Sequence, residues 1–380
     1  MSFKRPLTFV TNLQPLAQGR GWNYQVHLPG ERHIITPSYA LPEDLAALLL
    51  HGTTFLQDHH LSHAEPLEAI ADYYYGRLYG VSEEVLLPAF SCEITDVTLV
   101  GTVGAVVTSD NELLTESTNY SSFPQLKMEA ALYSSARGED APDGQYLSLL
   151  SYGAEVYGHW LVDSLPRLML DFPLDPAIRV IIPRESKDYH YETLALLGIP
   201  RERIFEAGRR TIRVQQLHVR SGGTGVVRPH PRLLQRLVAE LRAAAGVKET
   251  VHQRRLYVSR ANMRRRIVNE DALLPILKDY GFEIVRAETL SQVETIRLFS
   301  QAAVVAGAFG SPTLNAVYAK PGAVVLEIFN RARWEMQQER LVTLLGHRHW
   351  HCFADNLNAE WDTYLDPKKF ERCLAYALNG

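Results

Sequence analysis

The stretches "LYVSR" (256–260), "AVVAGAFGSP" (303–312) and "AVVLEI" (323–328) decide the fold of the second half of this chain. Each starts as a short apolar run, and amphipathic patterns typical of helices separate the runs. Strands that alternate with helices predict a parallel sheet covered by helices. Because the carboxyl ends of parallel strands meet at one edge, where such folds bind ligands, the residues that end these strands are candidate site residues.

Three different chemical groups come at the ends of these strands. Arg260 follows the first, a turn with Gly307 and Gly310 follows the second, and Glu327 lies near the end of the third. Arginine and backbone N–H groups bind phosphate, and a carboxylate binds ribose hydroxyls. The set predicts a nucleotide site. The turn lacks the dinucleotide and P-loop patterns, so a tight turn without a ligand and a strand-end ion pair of Glu327 stay open.

Local signals place helices beside this edge. Ser291 and Glu294 form a capping box, and Asn269 has the residue type of an N-cap. Ser311 followed by a proline predicts the first residues of another helix, whose free N–H groups favour an anion. Within the basic run after Arg260, Arg266 is the second candidate for a diphosphate contact.

The whole chain has the composition of an ordinary globular protein. Its 380 residues exceed one ordinary core and predict two α/β domains. A net charge of −4 argues against a nucleic-acid partner. The three cysteines are far apart, which predicts a reducing, cytoplasmic setting. No apolar run approaches the roughly 18 residues of a membrane span, whereas peripheral membrane contact and the oligomeric state stay open.

The pattern along the chain predicts four segments. Short strands and helices alternate between 146 and 220, which predicts a second parallel sheet, and a polar connector at 246–254 separates the two halves. The predicted segments are a mostly helical extension at 1–84 with helices at 41–51, 54–60 and 65–79, a first α/β domain at 85–248, a second α/β domain with the nucleotide site at 249–345, and a C-terminal segment at 346–380 that packs back on the first domain.

A histidine and a carboxylate share one helix face in the first half. His159 and Asp163 are four residues apart in a predicted helix, so their side chains are neighbours. A carboxylate can hold an imidazole in one tautomer and raise its basicity, which suits a general base. The alternative is a histidine that pairs with an acid only to stabilise the start of its helix.

No metal site is predicted. His59 and His63 in "DHHLSH" have metal-ligand spacing, but a third ligand is missing and a surface helix end explains them better. The chain has no D-x-D triplet, which sugar-nucleotide enzymes use to hold a divalent cation on the diphosphate. The prediction is that positive side chains replace the metal and that no cofactor is needed.

Three motifs together resemble one family. They are "YGHWLVDSLPRL" (157–168), "LYVSRANMRRRIVNEDALLPILKDYGFEIV" (256–285) and "LSQVETIRLFSQAAVVAGAFGSPTLNAVYAKPGAVVLEI" (290–328). Their order and spacing resemble glycosyltransferase family 61, formerly domain of unknown function 563, over roughly residues 85–330. The resemblance implies a GT-B architecture, in which two Rossmann-like, doubly wound domains face a cleft. It also implies inverting transfer from a nucleotide-sugar, usually without a metal, and bacterial relatives act in capsular or surface polysaccharide synthesis.

The resemblance also implies a donor site in the second domain. Its expected members are Arg260, Arg266, Asn269, Gly307, Phe309, Gly310, Ser311, Asn315 and Glu327. The family commonly has a histidine where this chain has Phe309, so donor choice or catalytic strength is expected to differ.

The function expected from the sequence is that of an inverting hexosyl- or pentosyltransferase. It would move a sugar from a nucleotide-diphosphate sugar to a hydroxyl of a glycan acceptor, with His159 or Asp163 as base and Arg260 beside the departing diphosphate. The expected location is the cytoplasm or the inner face of a membrane. Two alternatives remain: a sugar-nucleotide epimerase or hydrolase on the same fold, and an inactive partner protein that binds nucleotide-sugars.

Overall fold

The structure is a computed structural model that describes residues 8–10, 12–35, 82–118, 138–208, 211–225, 227–248, 253–330 and 337–379. The chain divides into two compact units: unit 1 comprises residues 1–31 and 85–245, and unit 2 comprises residues 32–84 and 246–380. The helices predicted between residues 41 and 79 lie outside the described residues. Among the described residues, no helix is long and apolar enough to cross a membrane.

The described strands are numbered in chain order. They are β1 (Thr8–Val10), β2 (Asn23–Leu28), β3 (Glu31–Ile35), β4 (Ser82–Leu86), β5 (Ala89–Val100), β6 (Ala105–Val107), β7 (Glu112–Leu114), β8 (Glu139–Asp140), β9 (Gln145–Ser148), β10 (Ile178–Ile182), β11 (Ile204–Glu206), β12 (Thr211–Arg220), β13 (Gly223–Gly225), β14 (Arg228–Pro229), β15 (Arg254–Val258), β16 (Phe282–Val285), β17 (Ala302–Ala308), β18 (Val324–Asn330), β19 (Arg348–Asn356) and β20 (Thr363–Tyr364).

The described helices include several short 3-10 segments. The α-helices are α1 (Leu13–Arg20), α2 (Tyr157–His159), α3 (Asp188–Leu196), α4 (Pro231–Ala244), α5 (Leu274–Asp279), α6 (Gln292–Phe299), α7 (Gln337–Leu344) and α8 (Pro367–Asn379). A π-helical turn covers Trp160–Ser164, and the 3-10 segments are Thr115–Ser117, Leu165–Asp171, Arg201–Arg203, Glu270–Ala272, Ala287–Thr289 and Thr313–Tyr318.

Unit 1 contains a mixed sheet, and not the fully parallel, doubly wound sheet that was predicted. Strands β12, β9, β10 and β11 lie side by side and are parallel, as the alternation of strands and helices predicted. On the other side of β12, strands β5, β6 and β7 continue the sheet in antiparallel pairs. The turn between β5 and β6 is only residues 101–104, and so short a connection can join only antiparallel neighbours.

The described part of the N-terminal extension contributes strands to the sheet of unit 1. Strand β1 pairs with β7, and β2 pairs with β5. Helix α1 buries Leu13 and Ala17 in the same core as Phe90. In its described part the extension thus contributes strands as well as a helix, while the helices predicted for it lie outside the described residues.

Unit 2 contains the parallel sheet that the sequence predicted. Its strand order is β16-β15-β17-β18-β19-β20, and all but β20 run parallel. The chain places β16 on one side of β15 and then continues through β17 on the other side. The direction of strand addition therefore reverses between β15 and β17, and in this strand order such a point is where ligands bind. The α/β fold class is confirmed.

The C-terminal segment belongs to unit 2, which differs from the prediction that it packs on the first domain. Strand β19 pairs with β18 along its whole length. Helix α8 buries Phe370 and Leu374 in the core that contains Tyr257. The ring centroids of Phe370 and Tyr257 lie 6.4 Å apart. The apolar stripe of α8 thus covers one face of the unit 2 sheet.

The two faces of β18 and β19 carry different residues. Side chains alternate along a strand, so Leu326 and Cys352 join the apolar core under α8. Glu327 and His349 point to the opposite face, where Glu327 hydrogen-bonds Thr313 of the 3-10 segment Thr313–Tyr318. This second face is the polar one, and it lies beneath the turn that follows β17.

Candidate functional site

Arg260 and the glycine turn meet at the reversal point of the unit 2 sheet. Arg260 Nη1 donates a hydrogen bond of 2.9 Å to the carbonyl oxygen of Phe309. Gly310 has φ +146°, and a Cβ at this position would lie 2.0 Å from Arg260 Nη1. The guanidinium therefore packs directly on the turn, and position 310 requires glycine for both its backbone and this close approach.

The Arg260 guanidinium is largely buried but keeps its charge. Burial, followed by repulsion from Arg265, lowers the pKa of Arg260 to about 10, so it is cationic at neutral pH. Its Nε is buried and has no hydrogen-bond partner among the residues that the structure describes. A buried cation with an unused donor is poorly satisfied alone, and an anion at this edge would satisfy it.

A small pocket opens at the carboxyl ends of β17 and β18. It is lined by Arg265, Ala308, Phe309, Ile328, Asn330, Trp361 and Thr363. The Arg265 guanidinium carbon lies 5.5 Å from the centroid of the Trp361 ring. No local sequence motif connects Trp361 and Thr363 to the glycine turn, because Trp361 lies in the loop after β19 and Thr363 begins β20.

Glu327 lies inside β18 and not at its end, so the predicted contact with ribose does not fit its position. The side chain is fully buried. Its Oε1 lies 2.5 Å from Thr313 Oγ1, and its Oε2 lies 2.9 Å from His349 Nε2. Burial raises the pKa of Glu327 to about 8 against the opposing effects of Thr313 and Arg260. Thr313 Oγ1 is also 2.8 Å from the carbonyl oxygen of Gly310. Thr313 therefore links the buried Glu327 side chain to the glycine turn.

Two predicted donor residues tie the loop after β15 to the C-terminal segment instead. Arg266 Nε donates to Asp362 at 3.0 Å. Asn269 exchanges two hydrogen bonds with the backbone of Leu365, at 2.8 and 3.0 Å. Asn269 does lie at the predicted N-cap position, before the 3-10 segment Glu270–Ala272, but its side chain makes no capping hydrogen bond there. Both side chains are occupied by partners far away in sequence.

The remaining predicted donor residues shape the turn. A Cβ at Gly307 would lie 2.7 Å from the carbonyl oxygen of Val258, so this glycine allows β15 and β17 to approach. Asn315 is buried, and its Nδ2 donates to Pro312 at 3.0 Å. The helix predicted to start at Ser311 is the 3-10 segment that begins at Thr313. Of the predicted donor set, the structure thus brings Arg260, Phe309, Gly310 and Ser311 together at the turn that follows β17, and of these four only Ser311 is not buried.

In unit 1, His159 and Asp163 are in contact, as their spacing predicted. His159 Nδ1 lies 2.9 Å from Asp163 Oδ2. The other carboxylate oxygen accepts a 2.8 Å hydrogen bond from the backbone N–H of Val227. The carboxylate sits in the π-helical turn Trp160–Ser164, and such turns are frequent at functional sites. Both oxygens of Asp163 are therefore fixed, and Asp163 in turn fixes the ring.

Burial dominates the electrostatics of this pair. It raises the pKa of Asp163, while the hydrogen bonds from His159 and Val227 act in the opposite direction. The nearby Arg167 is also buried, which lowers its pKa to about 10 and leaves it cationic at neutral pH. The Asp163 carboxyl thus has a buried positive charge beside it.

The His159 ring is partly open to solvent on its other side. Its side chain is 24% exposed, against 1% for Asp163. Gly153, at φ +69°, lies against the ring, and a Cβ there would be 2.6 Å from His159 Cδ2. When Nδ1–H donates to Asp163, the Nε2 lone pair is left to accept a proton from a substrate.

A third cluster of titratable side chains lies on the polar face of the unit 2 sheet. Glu339, His349 and His351 each offer a ligand atom, and these atoms lie within 4.8 Å of one another. Burial lowers the pKa of His349 to about 3 and that of His351 well below its usual value. The sequence carries one signal for this cluster, because alternate histidines in "HRHWH" (347–351) would share one face of a strand. His59 and His63 lie outside the described residues.

Comparison with known proteins adds to this geometry. A family model described as Glycosyltransferase 61 matches residues 157–326. The comparison with curated proteins found no match. The matched range starts at α2 and ends within β18, so it contains the His159–Asp163 pair, Arg260 and the glycine turn. Residues 157–326 of this chain are thus similar to the glycosyltransferase 61 family.

Proposed function

We propose that this protein is an inverting glycosyltransferase that moves a sugar from a nucleotide-diphosphate sugar to a hydroxyl group of a glycan. The observation that carries the proposal is the Arg260 guanidinium on the Phe309–Gly310 turn, at the reversal point of a parallel sheet in a chain similar to this family. The resemblance of its motifs to those of bacterial members supports a surface polysaccharide as the acceptor.

Unit 2 supplies the contacts to the donor. Arg260 neutralises the diphosphate, and its unused Nε–H donates to a phosphate oxygen. These groups favour the departing nucleoside diphosphate more than the bound sugar donor, because negative charge grows on the leaving oxygen in the transition state. No divalent cation is needed on the diphosphate, since an arginine already supplies the charge.

Unit 1 supplies the general base. His159 Nε2 accepts the proton of the acceptor hydroxyl as its oxygen attacks the anomeric carbon. The bond from that carbon to the diphosphate breaks on the opposite side, which inverts the configuration. Asp163 keeps the ring in the required tautomer and stabilises the imidazolium that forms, with Val227 N–H holding the carboxylate in place.

A second candidate function is nucleotide-sugar binding without turnover. It is favoured by Phe309, which replaces the common histidine of the family. Its ring stacks on Phe329 at 4.7 Å and joins a buried aromatic cluster with Phe353. Such a side chain can pack against a sugar but cannot donate a hydrogen bond or move a proton.

Calorimetry with nucleoside diphosphates tests the donor site. Arg260→Ala should weaken binding by about 1.5–3 kcal/mol, which corresponds to roughly 10- to 150-fold in Kd. Arg254→Ala is the matched control, because Arg254 lies at the other end of the same strand and pairs with Glu283. An unchanged Kd for Arg260→Ala, or equal losses in both variants, would contradict the placement.

Product analysis separates the candidate activities. A transferase forms a glycosidic product of inverted configuration only when donor and acceptor glycans are both present. A hydrolase or epimerase consumes the donor alone. Tight donor binding with no product across a panel of acceptors would favour the binding function. Added Mg²⁺ or Mn²⁺ should leave the donor Kd unchanged, and a large gain would contradict the role given to Arg260.

A further inference from the structure

The polar face of β18 and β19 carries a cluster that glycosyl transfer does not use. His349 and His351 alternate on β19, and Glu327 lies on the same face of the neighbouring β18. Helix α7 adds Glu339 to the cluster. Two imidazoles and a carboxylate that converge from a strand and a helix in a buried setting are a ligand set for a transition metal.

The distance between two of the candidate ligand atoms fits a tetrahedral zinc site. His351 Nε2 lies 3.5 Å from Glu339 Oε2. Ligand atoms at about 2.0–2.1 Å from a tetrahedral zinc are about 3.4 Å apart, so this pair is already at the required separation. The rings of His349 and His351 lie 4.7 Å apart at 70°, and the ligand atoms of all three residues lie within 4.8 Å of one another.

His349 provides the second, independent observation. The residue is fully buried, and its Nδ1 has no hydrogen-bond partner among the described residues. Its Nε2 faces Glu327 Oε2 at 2.9 Å. A neutral ring that donates Nε2–H to Glu327 keeps its lone pair on Nδ1. Metal-bound histidines commonly have this arrangement, in which a carboxylate holds the other ring nitrogen, and it explains why the buried Nδ1 is left without a protein partner.

We propose that Glu339, His349 and His351 bind a Zn²⁺ ion, with Glu327 orienting His349 as a positioning residue. The ion links α7 to β19. It also stiffens the glycine turn from behind, because Glu327 contacts Thr313, whose hydroxyl reaches the carbonyl oxygen of Gly310. This zinc is structural and separate from the donor diphosphate, so the site does not rest on the proposed transferase activity.

Metal analysis of the intact protein tests the proposal. Protein purified without chelators should contain close to a single zinc per chain by mass spectrometry. Removal of the ion should lower the Tm, and Zn²⁺ alone should restore it where Mg²⁺ does not. Co²⁺ in place of zinc should give the visible absorption of a low-symmetry nitrogen and oxygen site. Glu339→Gln and His351→Gln should lose the metal and the response of the Tm to Zn²⁺.

Two further variants distinguish loss of the metal site from a general folding defect. Glu327→Gln keeps the shape of the side chain and should weaken zinc affinity by about 10- to 100-fold, the usual effect of changing a residue that orients a ligand. His347→Gln is the matched control, a buried histidine beside the same strand that is not in the cluster, and it should keep the zinc. The proposal would be overturned if the purified protein contained no metal and its Tm did not change on addition of Zn²⁺ or Co²⁺. The cluster would then be an internal hydrogen-bond network.

Discussion

The His159–Asp163 pair of unit 1 and the His349–Glu327 pair of unit 2 have the same length but different surroundings. The nearest nitrogen and oxygen are 2.9 Å apart in both His159–Asp163 and His349–Glu327. The His159 side chain is 24% exposed, whereas both members of the second pair are fully buried. A short histidine–carboxylate contact therefore does not by itself define a function. The free nitrogen of His159 can reach a substrate, and that of His349 can reach only the protein or a bound ion.

The largest expected effect comes from removing the exposed pair. His159→Ala and Asp163→Ala should each lower kcat by roughly 10²–10⁴, because both remove the same oriented base. The double variant should lose little more than either single variant, since the two residues act as a unit. Turnover measured per folded molecule, with donor Kd as the control, checks this. Near-normal turnover in both folded variants would remove the pair from the mechanism.

Removing the buried histidine should affect stability instead. His349→Ala leaves the Glu327 carboxyl without its partner on Oε2 and should lower the free energy of unfolding by about 1–3 kcal/mol. His159→Ala should cost less than about 1 kcal/mol, because water can replace a partly exposed ring. Urea denaturation of both variants, with a chelator present, measures the difference. Equal losses of stability in the two variants would contradict the expected difference between the buried and the exposed pair.

The position of the exposed ring can be changed without touching either partner. Gly153→Ala places a Cβ 2.6 Å from His159 Cδ2, so the ring must move and kcat should fall by about tenfold or more. Gly198→Ala is the control, because this glycine has a similar φ of +73° but nothing within 4 Å of its added Cβ. Both variants should lose about 1–2 kcal/mol of stability from the left-handed backbone. A similar kcat in the two variants would argue against a precise role of the ring.

The smallest expected effect is a pH dependence of stability. Burial raises the folded-state pKa of Asp163 above its usual 3.8, so the folded protein holds this proton more tightly than the unfolded chain. The stability that Asp163 contributes is present below about pH 4 and is lost as the pH rises through the folded pKa. Asp163→Asn removes this titration. The free energy of unfolding of the variant minus that of the wild type should therefore rise with pH, by at most about 1.4 kcal/mol per pH unit. If this difference in the free energy of unfolding instead fell as the pH rose, folding would favour the ionised form of Asp163.

Features that depend on near neighbours in the chain could be predicted from the amino-acid sequence alone. The spacing of His159 and Asp163 predicted their contact, because four residues return a helix to the same face. The alternation of apolar strands and amphipathic helices predicted the parallel sheet of unit 2 and placed Arg260 beside the glycine turn. Ser291 and Glu294 form the predicted capping box for the same reason.

Only the tertiary structure decided the features that depend on distant partners. Glu327 is buried because β18 continues to Asn330 and the segment from Thr313 covers it, which no local pattern reports. Arg266 is bound to Asp362, a residue 96 positions away. The convergence of Glu339 with His349 and His351 depends on how α7 packs over β19. Hydrophobic periodicity encodes which face of an element is buried, but not which polar side chains meet when the faces come together.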